Sequence, residues 1–89
     1  MRAIVTVMGV DKPGIIAKTS QLLFQTGINI LDINQTIMQE MFTMVMLVDI
    51  AGCTVPFDQL SEQLDALGTE MGLEIRLQHE DIFNSMHRI

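Results

Sequence analysis

Two helical patterns of apolar residues alternate with extended apolar runs along this sequence. This alternation is compatible with few folds. Extended runs are predicted at 2–8, 28–38, 42–50 and 73–80, and helices at 14–26 and 57–71. Each helix therefore stands between two strands, in the order βαββαβ. That order predicts an α+β, ferredoxin-like sandwich, in which a four-stranded antiparallel sheet carries both helices on one face.

The two predicted helices carry different signals. In the second helix one apolar stripe recurs at spacings of 3 and 4 residues, and its members are Phe57, Leu60, Leu64, Leu67 and Met71. This spacing is typical of a helix with one buried face. The first helix follows Asp11 and Pro13, which favour a capped helix start. Gly27 stands where a left-handed residue commonly ends a helix.

The predicted strands differ in how many faces they bury. The run 73–80 alternates apolar and polar residues, which indicates one solvated face, whereas 2–8 and 42–50 are apolar on both faces. In the second strand the adjacent Ile30 and Leu31 break the alternation, so a β-bulge is predicted there.

Two helices on one face leave the other face of this predicted sheet uncovered. Monomers rarely expose an apolar patch of more than roughly a few hundred Å². We therefore expect a homodimer with two-fold symmetry, or a higher homo-oligomer.

The length and the C-terminal end complete the predicted outline. The 89 residues are expected to form one domain, 1–89. Asp81 is expected to cap a short C-terminal helix. The apolar residues of that helix would be Ile82, Phe83, Met86 and Ile89.

Charge and hydropathy argue against two classes of partner. The net charge is −6, from 5 basic and 11 acidic residues, and the basic residues are scattered along the chain. Such a chain repels phosphate backbones, so direct nucleic-acid binding is not expected. No apolar stretch approaches the ~20 residues that cross a membrane, so membrane insertion is not expected. The single Cys53 and the lack of an export signal favour the cytoplasm.

The sequence gives little support for catalysis or metal binding. No Ser-His-Asp order, carboxylate pair or phosphate-binding loop stands out, so neither an enzyme nor a cofactor is expected. Cys53 has no His close in sequence to activate it. The possible metal ligands are His79, Glu80, Asp81 and His87. Two histidines without cysteine or repeated spacing are a weak metal pattern.

Two short segments carry a family resemblance. The first is Gly9-Val10-Asp11-Lys12-Pro13-Gly14-Ile15-Ile16-Ala17, which follows a β-rich run, and the second is Gly27-Ile28-Asn29-Ile30. Together with the second amphipathic helix they resemble an ACT domain over residues 2–80. The sequence is similar to short stand-alone bacterial ACT proteins and to the ACT halves of the glycine cleavage system repressor.

The resemblance implies a regulatory, non-catalytic role. ACT domains typically bind amino acids or related small effectors and associate side by side or face to face. Their effector often lies between the loop after strand one and strand two of the neighbouring copy. Carried onto this sequence, the ligand-binding candidates are Gly9, Asp11, Gly14 and Ile15 in the loop, with Asn29 and Asp32 in strand two.

The chemistry of these residues suits the head group of an amino acid. A helix N-terminus offers backbone N–H groups and a partial positive charge to a carboxylate, and Lys12 adds a nearby cation. Gly14 allows a ligand close to the backbone. Asp11 or Asp32 could bind an ammonium group, and the Asn29 amide can both donate and accept.

Two alternatives stay open. Asp11, Pro13 and Gly14 would also be expected at a capped turn that binds nothing. The methionines around the second and third strands favour core or dimer packing, but they would also suit a docking surface for a protein partner. They are Met38, Met41, Met44 and Met46. In that case the chain would be an interaction module that docks on an enzyme or regulator.

Overall fold

The computed structural model describes residues 1–81 and has the six predicted elements in the predicted order. These are β1 (Arg2–Val10), α1 (Ile15–Gln25), β2 (Asn29–Met38), β3 (Met41–Asp49), α2 (Phe57–Met71) and β4 (Leu73–His79). The predicted helix over Ile82, Phe83, Met86 and Ile89 lies outside the described residues. No helix within residues 1–81 is long and apolar enough to cross a membrane.

The four strands form one antiparallel sheet in the order β2-β3-β1-β4. β1 and β3 are central, while β2 and β4 are the two edges. This strand order with its two helices confirms the predicted ferredoxin-like fold.

The core lies between the helices and one row of side chains from each central strand. β1 contributes Ala3, Val5 and Val7, and β3 contributes alternate residues from Phe42 to Val48. The helices bury Ile15, Leu23, Leu60 and Leu64 against them. This packing supplies most of the hydrophobic stabilisation, because burial of one such side chain is worth about 1.5–3 kcal/mol.

The remaining side chains of the two central strands lie on the opposite face of the sheet, which we call the outer face. Ile4 is buried there, and Met8, Val45 and Leu47 are half-buried. The prediction that the central strands are apolar on both faces is correct. Within one chain, however, these outer-face side chains are already buried or half-buried.

The bulge predicted in the second strand is present. The β2–β3 register shifts between Ile30 and Asp32, and Leu31 is the extra residue. Beyond the shift, Asp32 pairs with Leu47 on the outer face and Ile33 pairs with Met46 on the helix face. The bulge therefore decides which residues of β2 face α1.

Gly27 ends α1 as the sequence predicted. It has a φ of 80° and its N–H donates to the Phe24 carbonyl, while Ile28 donates to Leu23. This pair of hydrogen bonds is a Schellman motif. A side chain at Gly27 would also collide with the Gly52 carbonyl. Glycine is therefore required there for two reasons, the left-handed φ and the close approach of this carbonyl.

Candidate functional site

The loop after β1 is fastened to the β2–β3 turn. The Asp11 N–H donates to the Glu40 carbonyl at 2.8 Å. The predicted role of Asp11 as a helix cap is wrong, because α1 begins at Ile15 and its N-cap is Gly14. Asp11 lies three residues before that cap, too far back to reach the first helical N–H groups.

Gly14 gives α1 an unusual N-terminus. Its φ of 86° is left-handed, and within the described residues no side chain caps the first N–H groups of the helix. The first intrahelical hydrogen bond runs from Lys18 to the Gly14 carbonyl, so the N–H groups of residues 15–17 have no partner within the helix. The first turn also has no acidic residue. The partial positive charge of the helix end is therefore left for water or an anion.

An open pocket of about 260 Å³ lies at this helix end. Its lining residues are Asp11, Lys12, Gly14, Ile15, Ile16, Ala17, Gln35, Ile37 and Phe42. It thus brings together three of the four predicted loop residues. It is smaller than the roughly 300–1,000 Å³ typical of sites for drug-sized ligands, which suits a small metabolite.

The fourth loop candidate, Gly9, does not line this pocket. It pairs with Phe42 on β3 and Leu73 on β4. A Cβ added at Gly9 would stand 2.5 Å from a methyl carbon of Leu73. Close packing between strands accounts for this glycine without a ligand.

Lys12 has a structural partner that the sequence did not reveal. Its Nζ donates to the Met71 carbonyl, at the C-terminal end of α2. The last turn of α2 contains no basic residue of its own. Lys12 therefore supplies the cation that favours that helix end, although it also lines the pocket.

Three pocket residues on β2 and β3 were not predicted as site residues from the sequence. They are Gln35, Ile37 and Phe42, and they come together through strand register, since Ile37 pairs with Phe42 and Gln35 with Met44. One feature of the sequence could have indicated Gln35. It is polar, although the alternation of β2 places it on the same face as the apolar Ile33 and Ile37.

The strand-two candidates lie away from this pocket within one chain. Asn29 pairs with Asp49 at the opposite end of β2, six residues or about 20 Å from Gln35. It lines a separate cleft of about 430 Å³ beside Phe24. Asp32 lies on the outer face and accepts a hydrogen bond from the Ile33 N–H at 2.9 Å.

A wider groove of about 510 Å³ runs between the two helices, and glutamine side chains are prominent in its lining. It includes Gln21, Gln25 and Gln63, with Lys18 and Glu70 as its charged residues. This groove has no exposed helix end to provide a cluster of backbone donors. The smaller pocket at α1 is therefore the better ligand site on chemical grounds.

Two of the residues considered for metal binding, His79 and Glu80, have other partners. The His79 ring stacks on Phe57 with 4.0 Å between centroids, and Glu80 forms an ion pair with Arg2 at 2.8 Å. His87 lies outside the described residues. No group of three or more potential ligands occurs within residues 1–81.

Cys53, the single cysteine, also has a hydrogen-bond partner. Its thiol donates to the Val55 carbonyl at 3.3 Å.

Exposed apolar side chains gather along the α1–β2 side of the fold. Phe24 is 80% exposed, and the others on this side are Ile16, Leu31, Ile33 and Ile37. The opposite edge, β4, instead carries an exposed ion pair between Glu74 and Arg76. Charged residues protect a sheet edge from pairing, so the β2 edge is the more suitable one for contact with another chain.

Comparison with known proteins gives a consistent result. The sequence profile of the ACT domain family matches residues 2–78. A UPF0237 protein of Clostridium acetobutylicum is 54% identical over 89 residues, which is the full length of both chains.

Solved structures show the same likeness. An ACT domain protein from Streptococcus pneumoniae superposes with a TM-score of 0.81 at 38% identity, over 93% of each chain. A protein assigned as a glycine cleavage system transcriptional repressor gives a TM-score of 0.73 at 26% identity. That match covers 86% of this chain and 44% of the other.

Proposed function

This chain belongs to the ACT domain family, and from that membership we propose that it is a non-catalytic regulatory sensor. It binds an amino acid or a related small metabolite at a homodimer interface. The observation that carries the proposal is the uncapped N-terminus of α1, which opens into a small pocket beside Asp11.

The two charges of an amino acid match this pocket. The ligand carboxylate accepts hydrogen bonds from the free N–H groups of residues 15–17, where the helix dipole adds about 0.3–1 kcal/mol. The ligand ammonium group pairs with the carboxylate of Asp11, a residue that lines the same pocket. Gly14 leaves the approach to the backbone open, because nothing lies within 4 Å of a Cβ added there.

The dimer forms through the β2 edges of two copies, which buries the exposed apolar side chains of β2 and α1. A two-fold axis beside Ile33 makes the two β2 strands antiparallel and brings the start of β2 in the second copy, with Asn29, beside the end of β2 in the first. Asn29 then reaches the pocket from which it is separated within one chain. The acidic net charge of −6 disfavours nucleic acid as a further partner.

The test is a thermal-shift panel of amino acids and related metabolites at about 10 mM, with the size of the same sample measured in solution. A ligand with few heavy atoms binds with roughly −5 kcal/mol, a Kd on the order of 0.2 mM. At about 10 mM it adds roughly 2 kcal/mol, or about 10 °C in Tm. A dimer that responds to no compound would contradict the sensor proposal.

A second candidate function is a protein-interaction module, and one exposed patch favours it. Val10, Met41 and Met38 are exposed neighbours across three strands at one end of the sheet. Methionine-rich surfaces adapt to varied partners. A stoichiometric protein complex that is lost in Met41→Ser, together with no response in the metabolite panel, would favour this function over the sensor.

A further inference from the structure

We propose that the pocket at α1 selects an amino acid with an aliphatic, uncharged side chain. This inference rests on the proposed function, because it concerns the same site. It goes further by naming the class of ligand from the walls of the pocket.

The pocket lining combines polar groups with an apolar wall. The polar groups are Asp11 in the loop and the first N–H groups of α1. The apolar wall includes Ile15 and Phe42, which are almost completely buried and form part of the core, and the exposed Ile37. We expect an amino acid whose head group binds at the loop to pack its side chain on this wall.

A charged ligand side chain finds no available counter-ion among the lining residues. Among the lining residues, Lys12 already donates to the Met71 carbonyl, and Asp11 is used by the ligand ammonium group. The remaining polar side chain is the neutral amide of Gln35. An unpaired charge held against Ile15 and Phe42 loses part of its hydration without compensation, so binding of aspartate, glutamate and lysine is disfavoured.

The pocket volume sets an upper limit on the side chain. About 260 Å³ must hold the head group as well as the side chain. Valine, leucine, isoleucine and methionine are short enough to contact Ile37 and Phe42 without leaving the pocket.

The experiment is titration calorimetry of the wild-type chain with leucine, alanine, serine, aspartate and lysine. We expect leucine to bind at least about tenfold more tightly than alanine, since each buried methylene contributes about 10-fold or more. No saturable heat is expected with aspartate or lysine. Ile37→Ser should weaken leucine binding about tenfold and leave alanine binding within about twofold.

Val45→Ser is the matched control, because Val45 lies on the outer face of the central strand β3, away from the β2 edge, and does not line the pocket. It should bind leucine within about twofold of wild type, and circular dichroism should show both variants folded. Tight binding of a charged or small polar amino acid would overturn the aliphatic specificity and leave the sensor proposal standing. Leucine binding that is unchanged in Ile37→Ser would overturn the assignment of Ile37 to the ligand. Failure of every amino acid to bind would overturn the aliphatic specificity, and a thermal-shift response to another metabolite would still support the sensor proposal.

Discussion

The ammonium group of Lys12 donates a hydrogen bond to the main-chain carbonyl of Met71 and so joins the loop after β1 to the last turn of α2. These residues are 59 positions apart in sequence. The bond places a positive charge where the carbonyl groups of α2 give a partial negative charge. Lys12 is therefore part of the scaffold of the pocket as well as part of its wall.

Replacement of Lys12 by methionine tests this role. The variant keeps the length of the side chain but loses the charged hydrogen bond, so the free energy of unfolding should fall by about 1–2 kcal/mol. Urea denaturation measures the change. Lys18→Met is the control, because Lys18 is exposed on α1 and the same substitution there should alter stability by less than about 0.5 kcal/mol. Equal effects of the two substitutions would contradict the scaffold role.

The left-handed backbone at Gly14 makes a second prediction. The space around a Cβ is empty, so the penalty of a side chain comes from the φ of 86° alone. Asparagine tolerates this conformation better than alanine, and β-branched valine tolerates it least. Unfolding free energies should therefore fall in the order Gly14, Gly14→Asn, Gly14→Ala and Gly14→Val, with about 1–2 kcal/mol for alanine. A valine variant as stable as wild type would show that the loop adopts another conformation.

Local patterns predicted the elements of this fold because each pattern has its own cause. The apolar stripe of α2 is buried from Leu60 to Met71, and Gly27 ends α1 in a left-handed turn. The bulge after Ile30 could be predicted because Ile30 and the adjacent Leu31 are both apolar. They interrupt the alternation of apolar and polar residues along the strand. These features depend on residues that are close in sequence.

The site was predicted less completely, because it depends on contacts between distant residues. The expected cap at Asp11 failed because the turn before α1 places Gly14 at the N-cap and leaves Asp11 bonded to Glu40. The position of Gln35 in the pocket follows from the β2–β3 register, and the partner of Lys12 from the packing of α2. Spacing along the chain carries neither kind of information.

Asp49 should make stability depend on pH. Its carboxylate accepts a hydrogen bond from the Ala51 N–H and lies 3.6 Å from the N-terminal ammonium group, and together these lower the pKa of Asp49. A lowered folded-state pKa stabilises the fold above the unfolded-state value, and this stabilisation is lost as the pH falls through the folded-state value. Asp49→Asn should therefore be less stable than wild type at about pH 7 and equal to it at about pH 2.

Urea midpoints at the two pH values measure this effect. The amide side chain of the Asp49→Asn variant would still offer an oxygen to the Ala51 N–H, so the comparison isolates the charge. Asp65→Asn on the exposed face of α2 is the control, and its effect at about pH 7 should stay below about 0.5 kcal/mol. A gap between wild type and Asp49→Asn that persisted at about pH 2 would show that the charge is not its source.

The dimer geometry can be separated from folding by two charged substitutions. Ile33→Glu places a charge on the β2 edge and should convert the dimer to a folded monomer, because an edge charge opposes strand pairing. Val45→Glu places the same charge on the outer face and should leave the dimer intact. Light scattering after size exclusion distinguishes the two. Met46 is unsuitable for this test, since it lies in the core and a glutamate there would unfold the chain.

A reversal of that outcome would be equally informative. Dissociation by Val45→Glu alone would place the interface on the outer face of the sheet. Asn29 of one copy would then not reach the pocket of the other.

Mixing two binding-deficient variants tests whether the site is shared between copies. Asp11→Ala and Asn29→Ala should each bind the ligand weakly as homodimers, although these residues lie at opposite ends of the α1–β2 surface. In a mixed dimer, one site combines both substitutions and the other combines the intact loop of one chain with the intact Asn29 of its neighbour. Random exchange of subunits should therefore restore wild-type affinity to about a quarter of the sites, which calorimetry measures as stoichiometry. If each site were built within one chain, every site would retain a substitution and mixing would restore nothing.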